Sequence, residues 1–311
     1  MKISCIEPLG ISKEQFEALR SQFESQGHSF EYYMNRCEDE ATLIERMKDS
    51  DVAILSNIKI SSAVLQECTR LKYISVAFTG LDHIDLDYCK QHNITVQNAA
   101  GYSTVAVSEL TIGLMLDLMR HITVLDAATR QGGSRNNFLG SELHGKTVGV
   151  VGTGAIGTAT IRLLKAFGCN VIAYNRSHHA EVEALGVKYM PLHELLPQCD
   201  IVTLHVPLKS ETHHLIGAKE LSLMKKNALL INTARGNVVD MDAAATALKN
   251  GTLAGMATDV YEKEPPLQTS HALLNAPNCI CVPHIGFATR EAFDIRADIV
   301  MEHVRQWLNQ Q

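Results

Sequence analysis

A short buried strand that runs through a glycine-rich turn into a helix is the feature that most constrains this 311-residue chain. Residues 147–151 are mostly apolar, residues 152–157 read G-x-G-x-x-G, and residues 158–167 have helical periodicity. Here Gly152 permits a tight turn, Gly154 lets the backbone approach a pyrophosphate, and Gly157 lets helix and strand pack closely. The helix N-terminus then offers N–H groups to the anion. The motif predicts a dinucleotide site, with a purely structural turn as the alternative.

The end of the following strand bears on which dinucleotide binds. Strand 171–174 is followed by Asn175 and Arg176, where such sites normally place an Asp or Glu that grips the adenosine ribose. A carboxylate would repel a ribose 2′-phosphate, whereas a guanidinium attracts one. The pair therefore favours NADP(H) over NAD(H). Alternatively, Asn175 hydrogen-bonds the 2′-hydroxyl and Arg176 faces water.

Short apolar strands alternate with helical patterns along most of the chain. This alternation is typical of an α/β protein whose parallel sheet is covered by helices on both faces. Residues 109–125 are apolar on most sides of a helix, which predicts burial at a domain junction or a subunit interface. The strands predicted are 52–55, 73–76, 94–96, 147–151, 171–174, 201–204, 228–231, 254–258 and 279–282.

Composition argues against several classes of protein. The net charge is −6 and no run of Lys and Arg exceeds two residues, so no nucleic-acid partner is expected. No apolar stretch approaches about 18 residues and the first residues do not resemble an export signal, so we expect no membrane span and a cytoplasmic location. The eight cysteines are scattered apart from one C-x-C spacing, Cys279 and Cys281, and are expected to be reduced core thiols. His178–His179 and His213–His214 lack metal-ligand spacing, and no metal is predicted.

Four motifs follow one another in order along the second half of the chain. They are Leu204-His-Val-Pro-Leu208, Ile231-Asn-Thr-Ala-Arg-Gly236 with Val239-Asp240, Asp259-Val-Tyr-Glu-Lys-Glu-Pro265 and Pro283-His-Ile-Gly286. Together with residues 79–85 and 98–109, they resemble the D-isomer-specific 2-hydroxyacid dehydrogenase family. The resemblance implies a Rossmann dinucleotide-binding domain (residues 100–284) inserted in a smaller flavodoxin-like substrate domain (residues 1–99 plus 285–311). It also implies an active site in the cleft between them and a homodimer.

The same resemblance implies three catalytic residues. His284 corresponds to the acid/base, which protonates the developing alkoxide when a keto group is reduced. Glu264 corresponds to the carboxylate that pairs with this histidine and keeps its proton available near neutral pH. Arg235 corresponds to the residue that binds the substrate carboxylate and polarises the keto group, because its planar fork suits a carboxylate.

Further dinucleotide contacts are implied in the same way. Ala155 and Ile156 would offer backbone N–H groups to the pyrophosphate. Asp259 would accept from the nicotinamide carboxamide and orient the ring, unless it caps a helix. The remaining contacts would be Val206 and Pro207 beside the adenine, Thr212 near the phosphates, and Thr233 and Ala234 along the nicotinamide ribose and ring.

Residues near the first family motif bear on the substrate. In the family, the loop that corresponds to Thr79 and Gly80 binds the substrate carboxylate through backbone N–H groups. The preceding residues end in Phe78 and include no arginine, unlike many phosphoglycerate dehydrogenases. Tyr102 falls where D-lactate dehydrogenases have a tyrosine. These features favour an unphosphorylated 2-keto acid such as glyoxylate, hydroxypyruvate or pyruvate.

The resemblance therefore predicts an NAD(P)-dependent dehydrogenase that reduces a 2-keto acid to the (R)-2-hydroxy acid, as a hydroxypyruvate reductase does. One alternative is a short phosphoglycerate dehydrogenase. The other is a dinucleotide-sensing binding protein of the same fold, with slow turnover and nucleotide-dependent oligomerisation, which the fold alone does not exclude.

Overall fold

Two separate parallel sheets organise the chain. The computed structural model describes residues 1–135, 137–264 and 266–311. These fall into a terminal unit (residues 1–103 and 288–311) and an inserted unit (residues 104–287). The boundaries expected from the sequence, 99/100 and 284/285, lie a few residues earlier. Within the described residues, no helix is both long and apolar enough to cross a lipid bilayer.

A five-stranded parallel sheet forms the centre of the terminal unit. Its strands are β1 (Lys2–Cys5), β2 (Ser29–Tyr32), β3 (Val52–Leu55), β4 (Tyr73–Val76) and β5 (Thr95–Asn98). Its first helices are α1 (Lys13–Ser25), α2 (Glu40–Met47), α3 (Ser62–Glu67) and α4 (Leu86–Gln91). The strand order β2-β1-β3-β4-β5 is that of flavodoxin-like sheets. Every residue of β3 and β4 is buried, as their apolar sequences predict for inner parallel strands.

Side-chain caps set the starts of these four helices. At each start a Ser or Asp side chain accepts the backbone N–H of the residue three positions later, which satisfies one of the helix's otherwise unpaired donors. The capping residues are Ser12, Asp39, Ser61 and Asp85.

The C-terminal helix, Arg290–Leu308, completes the terminal unit. It packs against β4, where the rings of Tyr73 and Trp307 stack with their centroids 5.1 Å apart. The buried Ser75 hydroxyl donates to the Val300 carbonyl at 3.2 Å. The sheet of this unit is therefore covered by a helix that follows the whole inserted unit in the sequence.

The inserted unit has seven parallel strands. They are β6 (Thr147–Val151), β7 (Asn170–Tyr174), β8 (Lys188–Tyr189), β9 (Ile201–Leu204), β10 (Leu229–Asn232), β11 (Gly255–Thr258) and β12 (Cys279–Cys281). Its α-helices are α5 (Thr104–Arg120), α6 (Ile122–Arg130), α7 (Ala155–Ala166), α8 (Ala180–Ala184), α9 (Leu192–Leu195), α10 (Ala218–Leu223) and α11 (Met241–Lys249). Short 3-10 helices span Leu196–Gln198, Ser210–Thr212, Gly236–Val238 and Ala272–Asn275.

The strand order of the inserted unit locates a binding site. The order is β12-β11-β10-β9-β6-β7-β8, so the chain direction across the sheet reverses between β6 and β9. In open α/β sheets, ligands bind outside the carboxyl ends of the strands at such a switch point. The carboxyl end of β6 leads directly into Gly152, which begins the glycine-rich turn. The strand order and the glycine-rich motif thus indicate the same binding site, at the carboxyl end of β6. The predicted fold class is confirmed.

The long apolar segment 109–125, expected at a domain junction or a subunit interface, spans parts of two helices. Helix α5 packs on α7, β10 and β11 of its own unit and buries residues such as Thr111, Ile112 and Met115. His121, with φ of 56°, separates α5 from α6. The apolar character of α5 therefore follows from contacts on several sides inside one unit, whereas α6 buries none of its residues.

Candidate active site

The three glycines of the turn after β6 have distinct geometries. Gly152 adopts a φ of +98°, and a Cβ there would lie 2.6 Å from the His205 carbonyl oxygen. A Cβ on Gly157 would lie only 2.0 Å from the Gly152 carbonyl oxygen, so α7 packs directly on the turn. A Cβ on Gly154 would meet nothing within 4 Å, so the backbone here borders open space. An extended anion can approach the backbone only at such an open position.

The start of α7 supplies hydrogen-bond donors at that open position. Gly154 is the N-cap, and no side chain caps the helix. The first backbone N–H groups of a helix, here those of Ala155, Ile156 and Gly157, have no partner within the helix and attract anions. The glycine-rich turn and the start of α7 therefore fit the pyrophosphate of a dinucleotide.

The end of β7 lies beside the glycine-rich turn, because the Gly152 N–H donates to the Tyr174 carbonyl at 2.8 Å. The next residue, Asn175, donates its side-chain amide to the Ser177 carbonyl at 2.7 Å. Arg176 is exposed. The structure thus brings the predicted ribose-side residues next to the predicted pyrophosphate residues.

On the other side of β6, the residues after β9 form a compact turn. Val206 is buried and Pro207 is exposed. The Thr212 hydroxyl donates to the Pro207 carbonyl at 2.6 Å and accepts the Lys209 N–H at 2.8 Å. These bonds bring Thr212 together with Val206 and Pro207, and they use the hydroxyl to hold the turn.

The end of β10 carries three predicted residues on one turn. The buried Asn232 side chain accepts the Ala234 N–H at 3.1 Å and donates to the Arg235 carbonyl at 2.9 Å. Thr233 shares a hydrogen bond of 2.9 Å with the Thr111 hydroxyl, which itself donates to the Val107 carbonyl. Asn232 and Thr111 were missed as positioning residues. A polar residue at the end of a buried strand is a usable signal for Asn232, whereas Thr111 lies inside α5.

Gly236 couples this turn to the segment that carries Glu264. A Cβ on Gly236 would lie 1.9 Å from the Tyr261 carbonyl carbon and 2.5 Å from the Glu262 nitrogen. Only glycine permits this approach of two backbones. Arg235, which donates to its neighbour Ala234's carbonyl at 2.8 Å, is therefore held close to the segment 261–264.

Asp259 holds the loop that bears His284. Its two carboxylate oxygens accept the backbone N–H groups of Ile285 at 2.7 Å and Gly286 at 2.8 Å. The residue is 1% exposed, and its burial raises the pKa of the carboxyl to about 6, against the opposing effect of the two N–H donors and of His284. No helix of the described residues begins directly after Asp259, so this residue does not act as a helix cap. The carboxylate therefore sets the position of the residues directly after His284.

The imidazole of His284 lies in contact with the carboxylate of Glu264. Glu264 Oε2 lies 3.0 Å from His284 Nδ1, and the imidazole is 20% exposed. The Phe287 ring stands edge-on to the imidazole with centroids 5.4 Å apart. His284 also has a φ of +53°, an uncommon conformation for a residue with a side chain. Such conformations are concentrated at functional sites, where neighbouring contacts hold them.

In the terminal unit, the predicted substrate residues surround the end of β4. The rings of Phe78 and Tyr102 lie with centroids 6.5 Å apart, and both are nearly buried. Thr79 is exposed, Gly80 is half-buried, and the Asn98 amide donates to the Thr79 carbonyl. The motif that begins at Asn98 therefore holds the loop of the first motif in place.

A buried arginine supports the same loop. Arg296 is 4% exposed and donates to the Leu9 carbonyl at 2.7 Å, the Ser56 hydroxyl at 3.1 Å and the Ala77 carbonyl at 3.3 Å. Its guanidinium carbon lies 5.9 Å from the centre of the Tyr102 ring. Arg296 was not predicted from the sequence, because nothing in the local pattern of the C-terminal helix distinguishes it from an exposed arginine.

The sheet order and the glycine-rich turn define a class of protein, the dinucleotide-binding α/β proteins. Comparison with known proteins narrows this class. Residues 112–286 match the family model described as "D-isomer specific 2-hydroxyacid dehydrogenase, NAD binding domain". The chain therefore belongs to the D-isomer-specific 2-hydroxyacid dehydrogenase family, as its motifs predict, and it is an NAD(P)-dependent oxidoreductase.

Three relatives illustrate the family. The chain is 41% identical over 270 residues to D-3-phosphoglycerate dehydrogenase of Methanocaldococcus jannaschii, covering 86% of this chain but only 51% of that protein. It is 39% identical over 272 residues to glyoxylate reductase of Thermococcus litoralis, covering 84% of this chain and 82% of the relative. An acyclic imino acid reductase in complex with NADPH and D-Arg superposes with a TM-score of 0.89 at 28% identity, covering 100% of this chain and 98% of the other.

Proposed function

We propose that this enzyme reduces an unphosphorylated 2-keto acid to the (R)-2-hydroxy acid, with His284 as the general acid. The observation that carries the proposal is the contact of 3.0 Å between His284 Nδ1 and Glu264 Oε2. With Nδ1–H directed to the carboxylate, Nε2 is the nitrogen that exchanges a proton with the substrate in this proposal. The supporting contacts of Asp259 keep this loop in one position.

Each residue of the site has a distinct part in the proposed reaction. The bound nicotinamide dinucleotide supplies the hydride. His284 gives its Nε2 proton to the oxygen of the keto group, and Glu264 stabilises the imidazolium before this transfer. Arg235 binds the substrate carboxylate and polarises the keto group, and the backbone N–H groups of Thr79 and Gly80 bind that carboxylate too.

The terminal unit favours a small or apolar substrate over a phosphorylated one. Residues 73–89 contain no Lys or Arg, and the aromatic rings of Phe78 and Tyr102 lie beside the loop that begins at Thr79. Arg296 reaches the Ala77 carbonyl, but its guanidinium is buried and bonded to three backbone or side-chain oxygens. A phosphate dianion would need an accessible cation, so glyoxylate, hydroxypyruvate and pyruvate fit better. The glyoxylate reductase relative agrees with this choice.

We further propose a preference for NADP(H). Arg176 is exposed directly after β7, and Asn175 carries no charge that would repel a 2′-phosphate. The structurally similar imino acid reductase binds NADPH. The alternative is NAD(H), with Asn175 bonded to the ribose hydroxyl.

A cytoplasmic homodimer is the assembly and location we propose. Val124 on α6 is 54% exposed and Leu139 is 79% exposed, and both line one pocket of the inserted unit, which offers apolar surface to a second copy. All eight cysteines are free thiols, which is typical of a reducing compartment. Light scattering during gel filtration would measure the mass, and a monomer at micromolar concentration would contradict the dimer.

Initial rates with NADPH and NADH against a panel of keto acids test the proposed activity. The panel comprises glyoxylate, hydroxypyruvate, pyruvate, phenylpyruvate, 2-ketoisocaproate and 3-phosphohydroxypyruvate. We expect fast reduction of at least one unphosphorylated acid and a higher kcat/KM with NADPH. Preference for the phosphorylated acid would instead indicate a phosphoglycerate dehydrogenase. Tight dinucleotide binding without turnover of any acid would indicate a sensing protein.

A further inference from the structure

Two cysteines lie side by side on the strand that leads to His284. Cys279 and Cys281 occupy alternate positions of β12, so both side chains point to the same face of the sheet. Both pack against the same hydrophobic cluster, and their Sγ atoms are 3.7 Å apart. At this separation the two sulfur atoms are in van der Waals contact, whereas a disulfide bond is about 2.05 Å long.

These two residues differ from most cysteines of the chain. Cys5, Cys68, Cys89, Cys169 and Cys199 are buried, as expected for core thiols, whereas Cys37, Cys279 and Cys281 are half-buried. In the described part of the chain, β12 pairs only with β11, so it is an edge strand. One side of this strand is therefore not held by a neighbouring strand, and its backbone can adjust.

The surroundings of Cys281 favour its reactive form. A hydrogen bond from the Cys279 thiol lowers the pKa of Cys281 to about 7, although burial opposes this; Tyr261 and His271 contribute in the same direction. The thiolate is the nucleophilic form of cysteine. At neutral pH, Cys281 is thus the attacking sulfur and Cys279 the resolving one.

We propose that Cys279 and Cys281 are a redox modification site at which a peroxide closes a reversible disulfide and slows the enzyme. The link to activity rests on the function proposed above, but the disulfide itself does not. A strained cross-link between alternate residues of a strand is easily reduced. The modification is therefore suited to a transient response and not to permanent stabilisation.

The oxidation balances with hydrogen peroxide as the two-electron oxidant. The Cys281 thiolate attacks one peroxide oxygen, the O–O bond breaks, and the released hydroxide takes up a proton to become water. The resulting sulfenic acid is then attacked at its sulfur by Cys279, which forms the S–S bond and expels a second water. Two thiols lose two hydrogen atoms in total, and one peroxide is reduced to two waters.

Closure of this bond would disturb the loop of His284. The Sγ atoms must approach by roughly 1.6 Å, which pulls on the backbone of Cys281. The next residue, Val282, accepts the Tyr261 hydroxyl at 3.0 Å and the His284 N–H at 3.1 Å through its carbonyl. Since a displacement of about 1 Å can cost about 10²-fold in rate, we expect turnover to fall roughly tenfold or more.

The experiment exposes the full-length enzyme to hydrogen peroxide and follows thiol alkylation, peptide mass and turnover together. In the wild type, we expect the peptide with Cys279 and Cys281 to lose two hydrogen atoms and to resist alkylation. Turnover should fall and should return after dithiothreitol. C37S, which removes the other half-buried thiol, should behave like the wild type, whereas C281S should form no cross-link and keep its turnover.

Several results would overturn this inference. One is alkylation of both thiols after the wild-type enzyme has met the peroxide. Another is a cross-linked enzyme with unchanged turnover, and a third is an equal, reversible loss in C281S. If no keto acid is reduced before oxidation, the proposed function fails, and the mass measurement still decides whether the disulfide forms.

Discussion

Glu264 Oε2 lies 3.0 Å from His284 Nδ1, so this nitrogen of the imidazole is held by a carboxylate. H284A should lower kcat about 10²–10⁴-fold, because general acid catalysis is lost. E264Q, which keeps an oxygen acceptor but removes the charge, should have a smaller effect. Initial rates measure kcat, and fluorescence titration should give a nearly unchanged Kd for the dinucleotide. Turnover close to that of the wild type in H284A would remove this residue from the acid/base role.

Gly236 allows two backbones to approach more closely than any side chain permits. G236A should move the segment 261–262 away, because the new Cβ would lie 1.9 Å from the Tyr261 carbonyl carbon. Since Arg235 and Glu264 flank this contact, kcat/KM should fall by about 10²-fold. The matched control is G217A, where the new Cβ would meet its nearest atom at 3.5 Å and activity should be retained. Equal activity of the two variants would show that the approach at Gly236 is unimportant.

Arg235 is expected to act through the shape of its side chain as well as its charge. R235K keeps the charge and loses the planar fork, so it should raise KM for the keto acid and lower kcat. Steady-state kinetics with saturating dinucleotide separate the two parameters. The dinucleotide Kd should be unaffected. An unchanged kcat/KM would contradict the assignment of this residue to the substrate carboxylate.

Arg176 is expected to set the cofactor preference. R176Q removes the guanidinium, and the ratio of kcat/KM for NADPH to that for NADH should fall roughly tenfold, the value of one charge-assisted hydrogen bond. N175D should lower the same ratio by repelling a 2′-phosphate. R162Q is the control, because Arg162 is also exposed in the inserted unit and pairs with Glu181 at 3.3 Å. If neither R176Q nor N175D changes the ratio of kcat/KM for NADPH to that for NADH, the adenosine ribose does not bind beside these two residues.

Asp200 should make stability depend on pH. Burial acts to raise its pKa, but the Lys225 ammonium at 2.8 Å and the Thr147 N–H at 2.9 Å outweigh burial and lower the pKa below the ordinary value of 3.8. Because the folded pKa is lower than the unfolded one, the stabilisation exists at neutral pH and is lost as the pH falls below about 3.8.

The corresponding variant is D200N, measured by urea unfolding from pH 7 down to pH 3. At pH 7 its free energy of unfolding should be about 1 kcal/mol below that of the wild type, a modest value because the pair is partly exposed. The gap should narrow as the wild-type carboxylate becomes protonated. D298N, a change at an exposed position of the C-terminal helix, should show little difference. If the difference in free energy of unfolding between D200N and the wild type does not change with pH, it does not arise from the ionised carboxylate of Asp200.

The sequence was most informative where local chemistry and local geometry coincide. The turn from Gly152 to Gly157 combines a strand, three glycines and a helix start within a few positions, and each glycine has a contact or an opening that explains it. The parallel sheets follow from the alternation of strands and helices. By contrast, β2 (Ser29–Tyr32) and β8 (Lys188–Tyr189) were not predicted, because short edge strands with polar residues lack a clear apolar pattern.

The positioning residues were harder to predict, because their partners are distant in the sequence. The sequence around Gly236 does not predict that the backbone of Tyr261 packs against it. The sequence around Arg296 does not predict its hydrogen bond to the carbonyl of Leu9. The neighbours of the apolar helix α5 could not be predicted for a related reason. Its several apolar sides meet α7 and the sheet of the same unit, and periodicity alone does not identify which neighbour covers which side.

The C-terminal helix also has a consequence for how the chain folds. The inserted unit is continuous in sequence, so all its contacts are available once residue 287 has been made. The first 103 residues must wait longer, because Ser75 and Tyr73 meet their partners on a helix that begins at Arg290. Contacts between such distant residues form slowly, and domains fold as units during synthesis. We therefore expect the inserted unit to reach its native state before the terminal unit, with the strand β4 shielded last.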